Sequence, residues 1–194
     1  AGAEGATQGL GTAGRGGRAN ATFAVTPGAA AALSAEPWRA AQGPLMTRWA
    51  KDVSPDNPLA EYPRPQMVRE DWQNLNGLWQ YAIRPADQDK VETFDGQILV
   101  PFAVESALSG VMKPVGPDNR LWYRRQFTVP ADWQGQRILL HFGAVDWDAT
   151  VWVNGREIGS HRGGYDPFTF DITKALKPGQ VQEIVLRVWD PVDQ

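Results

Sequence analysis

The sequence predicts an all-β fold: an antiparallel jelly-roll β-sandwich that follows a disordered tail rich in glycine and alanine. In residues 67–194, apolar and polar residues alternate with a period of two over several short runs, as in strands that bury one face. The pair Asn154-Gly155 separates two such runs, and both residues tolerate the positive φ of a tight hairpin turn. Residues 1–44, in contrast, have no periodic hydrophobic pattern.

The composition of residues 1–44 cannot bury enough apolar surface to offset the entropy lost when a backbone becomes ordered, which predicts disorder. Within this leader, residues 15–35 have the basic start and soft apolar run of a signal-peptide remnant, and a plain disordered leader is the alternative. Residues 45–66 contain four prolines, which exclude a long helix. We therefore expect an extended arm that docks along the sandwich through Trp49 and Tyr62.

The jelly-roll domain is expected over residues 67–194. Alternation places Leu121 and Tyr123 on one face of a strand and Trp122 on the other. Residues 132–135 are interpreted as a hairpin turn that joins this strand to the next. The predicted strands are 78–83, 98–100, 121–129, 137–142, 149–154, 156–162, 165–170 and 182–189. The other predicted features are turns at 154–155 and 163–164 and one helical turn at 171–176.

Charge and composition exclude several classes of function. The net charge is −3, and Arg124 and Arg125 lie next to each other on a strand, so they point to opposite faces and form no basic patch for nucleic acid. The chain has no cysteine, which excludes disulfides and thiolate metal sites. His141 and His161 lack metal-ligand spacing, and no run approaches the ~20 apolar residues that span a bilayer. We predict no cofactor, metal, nucleic-acid or membrane partner.

Asp146 and Asp148 are the obvious carboxylate pair, and an extended backbone would place both on one face. Nothing nearby in the sequence would raise the pKa of one and leave the other low, as acid and nucleophile require. We interpret both as lying at the mouth of a strand, where they accept hydrogen bonds from loop amides. A calcium site that also uses Asp166 is the remaining alternative. No catalytic residue is predicted.

Five ordered blocks resemble the N-terminal sugar-binding domain of glycoside hydrolase family 2, a galactose-binding-domain-like jelly roll. That family includes β-galactosidases, β-glucuronidases and β-mannosidases. The resemblance covers residues 60–194. The blocks are RPQMVREDWQNLNGLWQYAI, ILVPFAVESALSGV, LWYRRQFTVP, FGAVDWDATVWVNG with GSHRGGYDPFTFDIT, and VLRVWDP.

The resemblance implies that the acid/base and nucleophile glutamates lie on a later (β/α)8 barrel, so this chain by itself is expected to be inactive. Its parent would be a retaining, exo-acting glycosidase. The implied partners are a β-glycoside, the immunoglobulin-like and barrel domains of the same polypeptide, and in some members further copies of the parent enzyme. The absence of cysteine does not fix the compartment, because many exported bacterial proteins also lack it, and the signal-like leader favours a periplasmic or extracellular location over a cytoplasmic one.

In the family, loops of this domain reach the non-reducing sugar. The candidates here are Glu105 and Ser106 in the loop after the second predicted strand, and Asp190 and Asp193 after the last one. Carboxylates accept two sugar hydroxyls at once, so their chemistry fits. The alternatives are that Asp190 simply ends a strand and that Glu105 pairs with an arginine of strand 121–129. The family's sugar-contacting Asp lies beyond the matching last strand.

Two other functions stay open at this point. A free-standing carbohydrate-binding module or lectin would present exposed aromatic residues, for which Trp133 and Trp147 are the candidates. A scaffold or adhesion domain would bind no sugar. If the chain is instead part of an enzyme, its sandwich needs at least one more strand, so we expect an unpaired edge or an apolar patch around residues 182–194.

Overall fold

The computed structural model describes residues 37–56, 58 and 69–191, and within them the fold is all-β, as predicted. The described helices are single 3-10 turns, and none is long or apolar enough to span a bilayer. The strands are β1 (Gly77–Pro85), β2 (Gly96–Val100), β3 (Asn119–Phe127), β4 (Leu139–Phe142), β5 (Asp148–Val153), β6 (Arg156–Arg162), β7 (Phe168–Asp171) and β8 (Gln182–Trp189). The 3-10 turns are Ala50–Asp52, Ala107–Ser109, Ala131–Trp133 and Thr173–Ala175.

The strands form two antiparallel sheets of very different size. One sheet has six strands in the order β2-β1-β3-β8-β5-β6, and the other contains only β4 and β7. A single hydrophobic core lies between the two sheets. Ala149, Val151 and Val153 face this core from β5, whereas Leu140 and Phe168 face it from the small sheet. The period-two alternation therefore assigned the buried faces correctly.

The outer face of the large sheet has its own small cluster of buried residues. It contains Trp122 and Trp152, whose rings stack with centroids 5.9 Å apart, and the segment between β1 and β2 covers them. Arg187 lies over both indole rings, at 5.7 and 5.5 Å. On the same face, the guanidinium of Arg124 lies 4.4 Å above the Phe94 ring. Both faces of the large sheet are thus occupied.

The β5–β6 hairpin forms at the predicted turn, whereas the hairpin predicted at 132–135 is wrong. Asn154 and Gly155 have φ values of 52° and 80°, and Val153 pairs with Arg156 across the turn. The 132–135 segment instead crosses between sheets, because β3 pairs with β1 and β8 while β4 pairs with β7. Gly135 does have the left-handed φ of a turn, at 84°. A turn therefore does form at Gly135, but β3 and β4 pair with strands that are distant in the sequence and not with each other.

Strand β7 is shorter than predicted, since it begins at Phe168 and leaves 163–167 as a loop. The predicted helical turn is present at Thr173–Ala175, and the Thr173 backbone N–H donates to Asp171 Oδ1 at 3.0 Å. Strand β8 is an interior strand, paired with β3 and β5, so the expected open edge is not there. Within the described residues, β2 and β6 form the edges of the large sheet, and β4 pairs with β7 in the small one.

Part of the segment before the sandwich contacts it. The Trp38 indole N–H donates to the Ser109 carbonyl at 3.3 Å, and the Ala41 backbone N–H donates to the Ala107 carbonyl at 2.8 Å. Trp49, expected as an anchor, is 60% exposed, with a guanidinium 4.4 Å above its ring. The other expected anchor, Tyr62, lies outside the described residues, as do 1–36.

Candidate functional site

A groove of approximately 1970 Å³ lies beside the small sheet, next to the core face of the large sheet. Among the described residues, the small sheet has two strands of four residues each, whereas several strands of the large sheet are eight or nine residues long. Its walls include the aromatic side chains of Trp72, Trp79, Tyr123 and Trp133. Exposed carboxylates lie around this apolar surface.

The structure brings together two of the four predicted sugar-binding residues. Glu105, from the loop after β2, and Asp190, directly after β8, both line the groove. Ser106 does not line it, and its hydroxyl donates to the Ala103 carbonyl at 2.7 Å, so that prediction is not supported by the geometry. Asp193 lies outside the described residues.

The charge of Glu105 acts on Tyr123, which is half-buried in the groove wall. Burial is the main cause that raises the pKa of the Tyr123 hydroxyl, and the negative charge of Glu105 raises it further. The hydroxyl therefore stays protonated and is a neutral donor or acceptor. The arginines proposed as alternative partners of Glu105 have other contacts. Arg124 donates to Gln80 Oε1 at 2.5 Å, and Arg125 donates to the Leu78 carbonyl at 3.2 Å.

Asp146 and Asp148 have different surroundings. The Asp148 carboxylate accepts a hydrogen bond from Arg162 Nε at 2.8 Å, which is an ion pair between neighbouring strands. The Asp146 carboxylate lies in the β4–β5 loop at the groove and packs directly against the backbone of Gly164. Asp148 thus lies at the strand mouth, but its hydrogen bond comes from an arginine side chain on the neighbouring strand and not from a loop amide. Within 37–56, 58 and 69–191, no group of three or more metal-ligand side chains is close enough to hold an ion.

The two histidines are also held by local contacts. His141 lies exposed on β4, where its Nδ1 is 2.8 Å from Thr169 Oγ1 and its ring stacks on Trp72 at 5.5 Å between centroids. His161 stacks on Phe168 at 4.2 Å, next to the corner at Gly163. The His141–Trp72 stack lies on the groove wall.

Two loops beside the groove present aromatic side chains to solvent. The Gly163 backbone N–H donates to the Trp147 carbonyl at 3.1 Å and so joins the β4–β5 and β6–β7 loops. Trp147 is 39% exposed and Tyr165 is 92% exposed. Trp133, the other aromatic candidate for a lectin, is half-buried in the groove wall.

Sequence comparison assigns the family. A model of the glycosyl hydrolases family 2 sugar binding domain matches residues 97–193, which is half of the 194-residue chain. The chain belongs to glycoside hydrolase family 2. The matched part contains β3 to β8, all of β2 except Gly96, and the two candidate groove carboxylates, Glu105 and Asp190.

Curated relatives of this family 2 domain are much longer enzymes. A β-glucuronidase of Paenibacillus borealis is 31% identical over 133 residues, which are 66% of this chain and 22% of the relative. The Felis catus β-glucuronidase is 31% identical over 72% of this chain and 23% of its own length. A β-galactosidase of Thermoanaerobacter pseudethanolicus is 42% identical over 64 residues, 33% of this chain and 9% of its own.

Solved structures agree with this assignment. The Ruminococcus gnavus β-glucuronidase in complex with D-glucuronic acid aligns with a TM-score of 0.52 and 29% identity, over 63% of this chain and 23% of that chain. The same enzyme in complex with a C6-substituted uronic isofagomine aligns with a TM-score of 0.51 and 31% identity, over 61% and 21%. The family 2 domain described here thus spans less than a quarter of each enzyme.

Sequence reasoning missed three groove residues of the family 2 domain: Trp72, Tyr123 and His141. Alternation places Tyr123 on the same strand face as Leu121, but a position on an apolar strand face predicts core rather than a groove wall. The Trp72–His141 stack joins the approach to β1 with β4, and no local pattern reports such a contact. The sequence does contain one indication of the groove: its strand residues lie on the apolar faces that the alternation pattern identifies.

A second, polar pocket of approximately 540 Å³ lies on the outer face of the large sheet, around Asp148, Thr150 and Arg187. Three of its charged side chains, Arg187, Asp148 and Arg162, already have partners. Arg187 Nη2 is 3.2 Å from Thr150 Oγ1, Arg187 Nη1 is 3.4 Å from an Asp89 carboxylate oxygen, and burial lowers the pKa of Arg187. These contacts hold the family 2 domain together, so the groove is the better candidate site.

Proposed function

We propose that this chain is the non-catalytic N-terminal module of a β-glucuronidase-like enzyme of family 2, and that it forms one wall of the active site. The observation that supports this most strongly is the family match over residues 97–193 in a chain that spans less than a quarter of its enzyme relatives. The parent enzyme would hydrolyse the β-O-glycosidic bond of a glycoside. The two carboxylates that perform the reaction would belong to the parent's barrel domain.

The module would contact the non-reducing sugar through the carboxylates at the groove. Glu105 is exposed and Asp190 is half-buried, and each can accept hydrogen bonds from two adjacent sugar hydroxyls. For a glucuronide, like charges would keep the sugar's own carboxylate away from this surface. The module would therefore face the hydroxyl edge of the sugar, and cationic groups elsewhere in the enzyme would bind its carboxylate.

Kinetics of the parent enzyme test this role. Glu105→Gln and Asp190→Asn each remove a charged acceptor, and a hydrogen bond to a charged group contributes roughly 1.5–3 kcal/mol, so we expect KM for a β-glucuronide to rise about tenfold or more. Glu92→Gln is the matched control, because Glu92 is exposed on the segment that covers the opposite face of the large sheet. Unchanged KM in both groove variants would refute the sugar-contact role.

A free-standing carbohydrate-binding module is the second candidate function, favoured by the exposed pair Trp147 and Tyr165 on joined loops. Isothermal titration of the 194-residue chain with galactosides, glucuronides and mannosides separates the two. Millimolar or absent binding is expected for a module that contributes only one wall. Micromolar binding that Trp147→Ala abolishes would favour the second function.

A further inference from the structure

The rim of the groove continues into the two loops that present aromatic side chains to solvent. The β4–β5 loop contains Asp146, which lines the groove, and the next residue, Trp147, is 39% exposed. The β6–β7 loop contains Gly164, which also lines the groove, and the next residue, Tyr165, is 92% exposed. Each exposed ring is therefore the direct chain neighbour of a residue on the groove wall.

Several contacts hold these two loops in place. The Gly163 backbone N–H donates to the Trp147 carbonyl at 3.1 Å, which joins the loops to each other. The side chain of Arg162, directly before Gly163, donates to the carboxylate of Asp148, directly after Trp147, at 2.8 Å. At the other end of the β6–β7 loop, the side chain of Phe168 is buried in the core. Rings on loops that are already ordered lose little conformational entropy when a ligand binds, so this pair is suited to binding.

Each of the two loops places a carboxylate next to its aromatic ring. Asp146 precedes Trp147, and Asp166, which is exposed, follows Tyr165. The C–H groups on one face of a pyranose pack on an aromatic ring, while the hydroxyls around its edge donate to carboxylates. A purely apolar ligand would use the rings and leave the carboxylates without a role. The chemistry of the loops therefore fits a sugar better than an aryl group.

We propose that Trp147 and Tyr165 form a subsite for the leaving group, and that the parent enzyme acts on β-glucuronides whose leaving group is itself a sugar. This inference rests on the proposed function, in which Glu105 and Asp190 contact the non-reducing sugar in the groove. That sugar is the end of the substrate, so the substrate continues from it only across the bond that is cleaved. A further sugar contact that borders the same groove therefore lies on the leaving-group side.

Steady-state kinetics of the parent enzyme with two substrates test the proposal. The first is methyl β-D-glucuronide, whose leaving group has no ring that could stack. The second is a disaccharide with a β-linked glucuronic acid at its non-reducing end. Trp147→Ala and Tyr165→Ala should each lower kcat/KM for the disaccharide about three- to tenfold, because each removes one stacking contact that only the second sugar makes. The kcat/KM for the methyl glycoside should stay unchanged in both variants.

Three further variants make the result specific to the two rings. Trp49→Ala is the matched control, because Trp49 is also an exposed tryptophan, at 60%, and does not line the groove. Trp147→Phe and Tyr165→Phe keep an aromatic face and should retain most of the activity on the disaccharide. The Tyr165 variants keep the test decisive if Trp147→Ala is unstable, since a side chain that is 92% exposed contributes little to packing.

An unchanged ratio of the two kcat/KM values in both alanine variants would overturn the proposal. So would an equal loss on both substrates, since the rings would then support the enzyme's structure and not bind the leaving group. A loss on 4-nitrophenyl β-D-glucuronide without a loss on the disaccharide would overturn the assignment to a sugar. A parent enzyme that hydrolyses none of these glucuronides would instead refute the proposed function, and the subsite with it.

Discussion

Replacing Asn154 with alanine tests how the turn between β5 and β6 holds the large sheet together. Its side-chain amide donates to the Ala175 carbonyl at 2.8 Å and to Gln182 Oε1 at 2.7 Å. Its Oδ1 accepts from the Glu183 backbone N–H at 3.0 Å. The Asn154 side chain thus joins the hairpin to the segment before β8 and to the first two residues of β8.

The expected loss of stability can be worked from these contacts. Three hydrogen bonds at about 1 kcal/mol each give about 3 kcal/mol for Asn154→Ala. The left-handed φ of 52° adds about 1 kcal/mol, because alanine adopts it less readily than asparagine. Asn154→Gly loses the same bonds without that strain, so about 3 kcal/mol is expected for it.

Urea denaturation of the 194-residue chain at 25 °C, followed by tryptophan fluorescence, measures both values. We expect the glycine variant to be the more stable of the two, with an unchanged dependence on urea. Asn154→Asp is a useful control, since it keeps the acceptor for the Glu183 N–H and loses only the two donated bonds. A loss below 1 kcal/mol for Asn154→Ala, or no difference between alanine and glycine, would refute the reasoning.

Two further predictions concern the loops near the groove. Gly164→Ala should lower the melting temperature by several degrees, because a Cβ there would overlap the Asp146 carboxylate, whereas the control Gly143→Ala meets no atom within 4 Å and should have little effect. The pKa of the Asp171 carboxyl is lowered, and the largest cause is the hydrogen bond from the Thr173 hydroxyl. The ionised carboxylate therefore stabilises the folded protein at pH values above its ordinary pKa of 3.8, and this stabilisation is lost as the pH falls through the lower pKa of the folded state. An NMR titration should show the Asp171 pKa rising toward 3.8 in Thr173→Val, and an unchanged pKa would contradict this cause.

The parts of the fold that depend on local pattern could be predicted from the sequence. Alternation alone predicted the two faces of β3, and Asn154-Gly155 predicted the β5–β6 hairpin. Sheet membership could not be predicted in this way. The turn chemistry of Gln134-Gly135 is real, yet β4 joins Phe168–Asp171 rather than β3, since pairing is decided by apolar contacts far apart in the chain.

The candidate site shows the same division. Carboxylate chemistry and the family resemblance pointed to Glu105 and Asp190, and the fold places both on one groove although they come from different ends of the domain. The hydroxyl of Ser106, the neighbour of Glu105, donates to a carbonyl within the same loop. The apolar surface between the carboxylates could not be predicted. A valine such as Val129 gives the same alternation pattern in the sequence whether it is buried under a second sheet or lines a groove.

The central claim is that this family 2 module shapes an active site whose reacting groups lie elsewhere in the parent enzyme. Turnover of 4-nitrophenyl β-D-glucuronide by the 194-residue chain and by the full parent enzyme tests it most directly. The account predicts hydrolysis by the parent and none by the 194-residue chain at equal concentration. Hydrolysis by the 194-residue chain that disappears in Asp146→Asn or Asp148→Asn would contradict it.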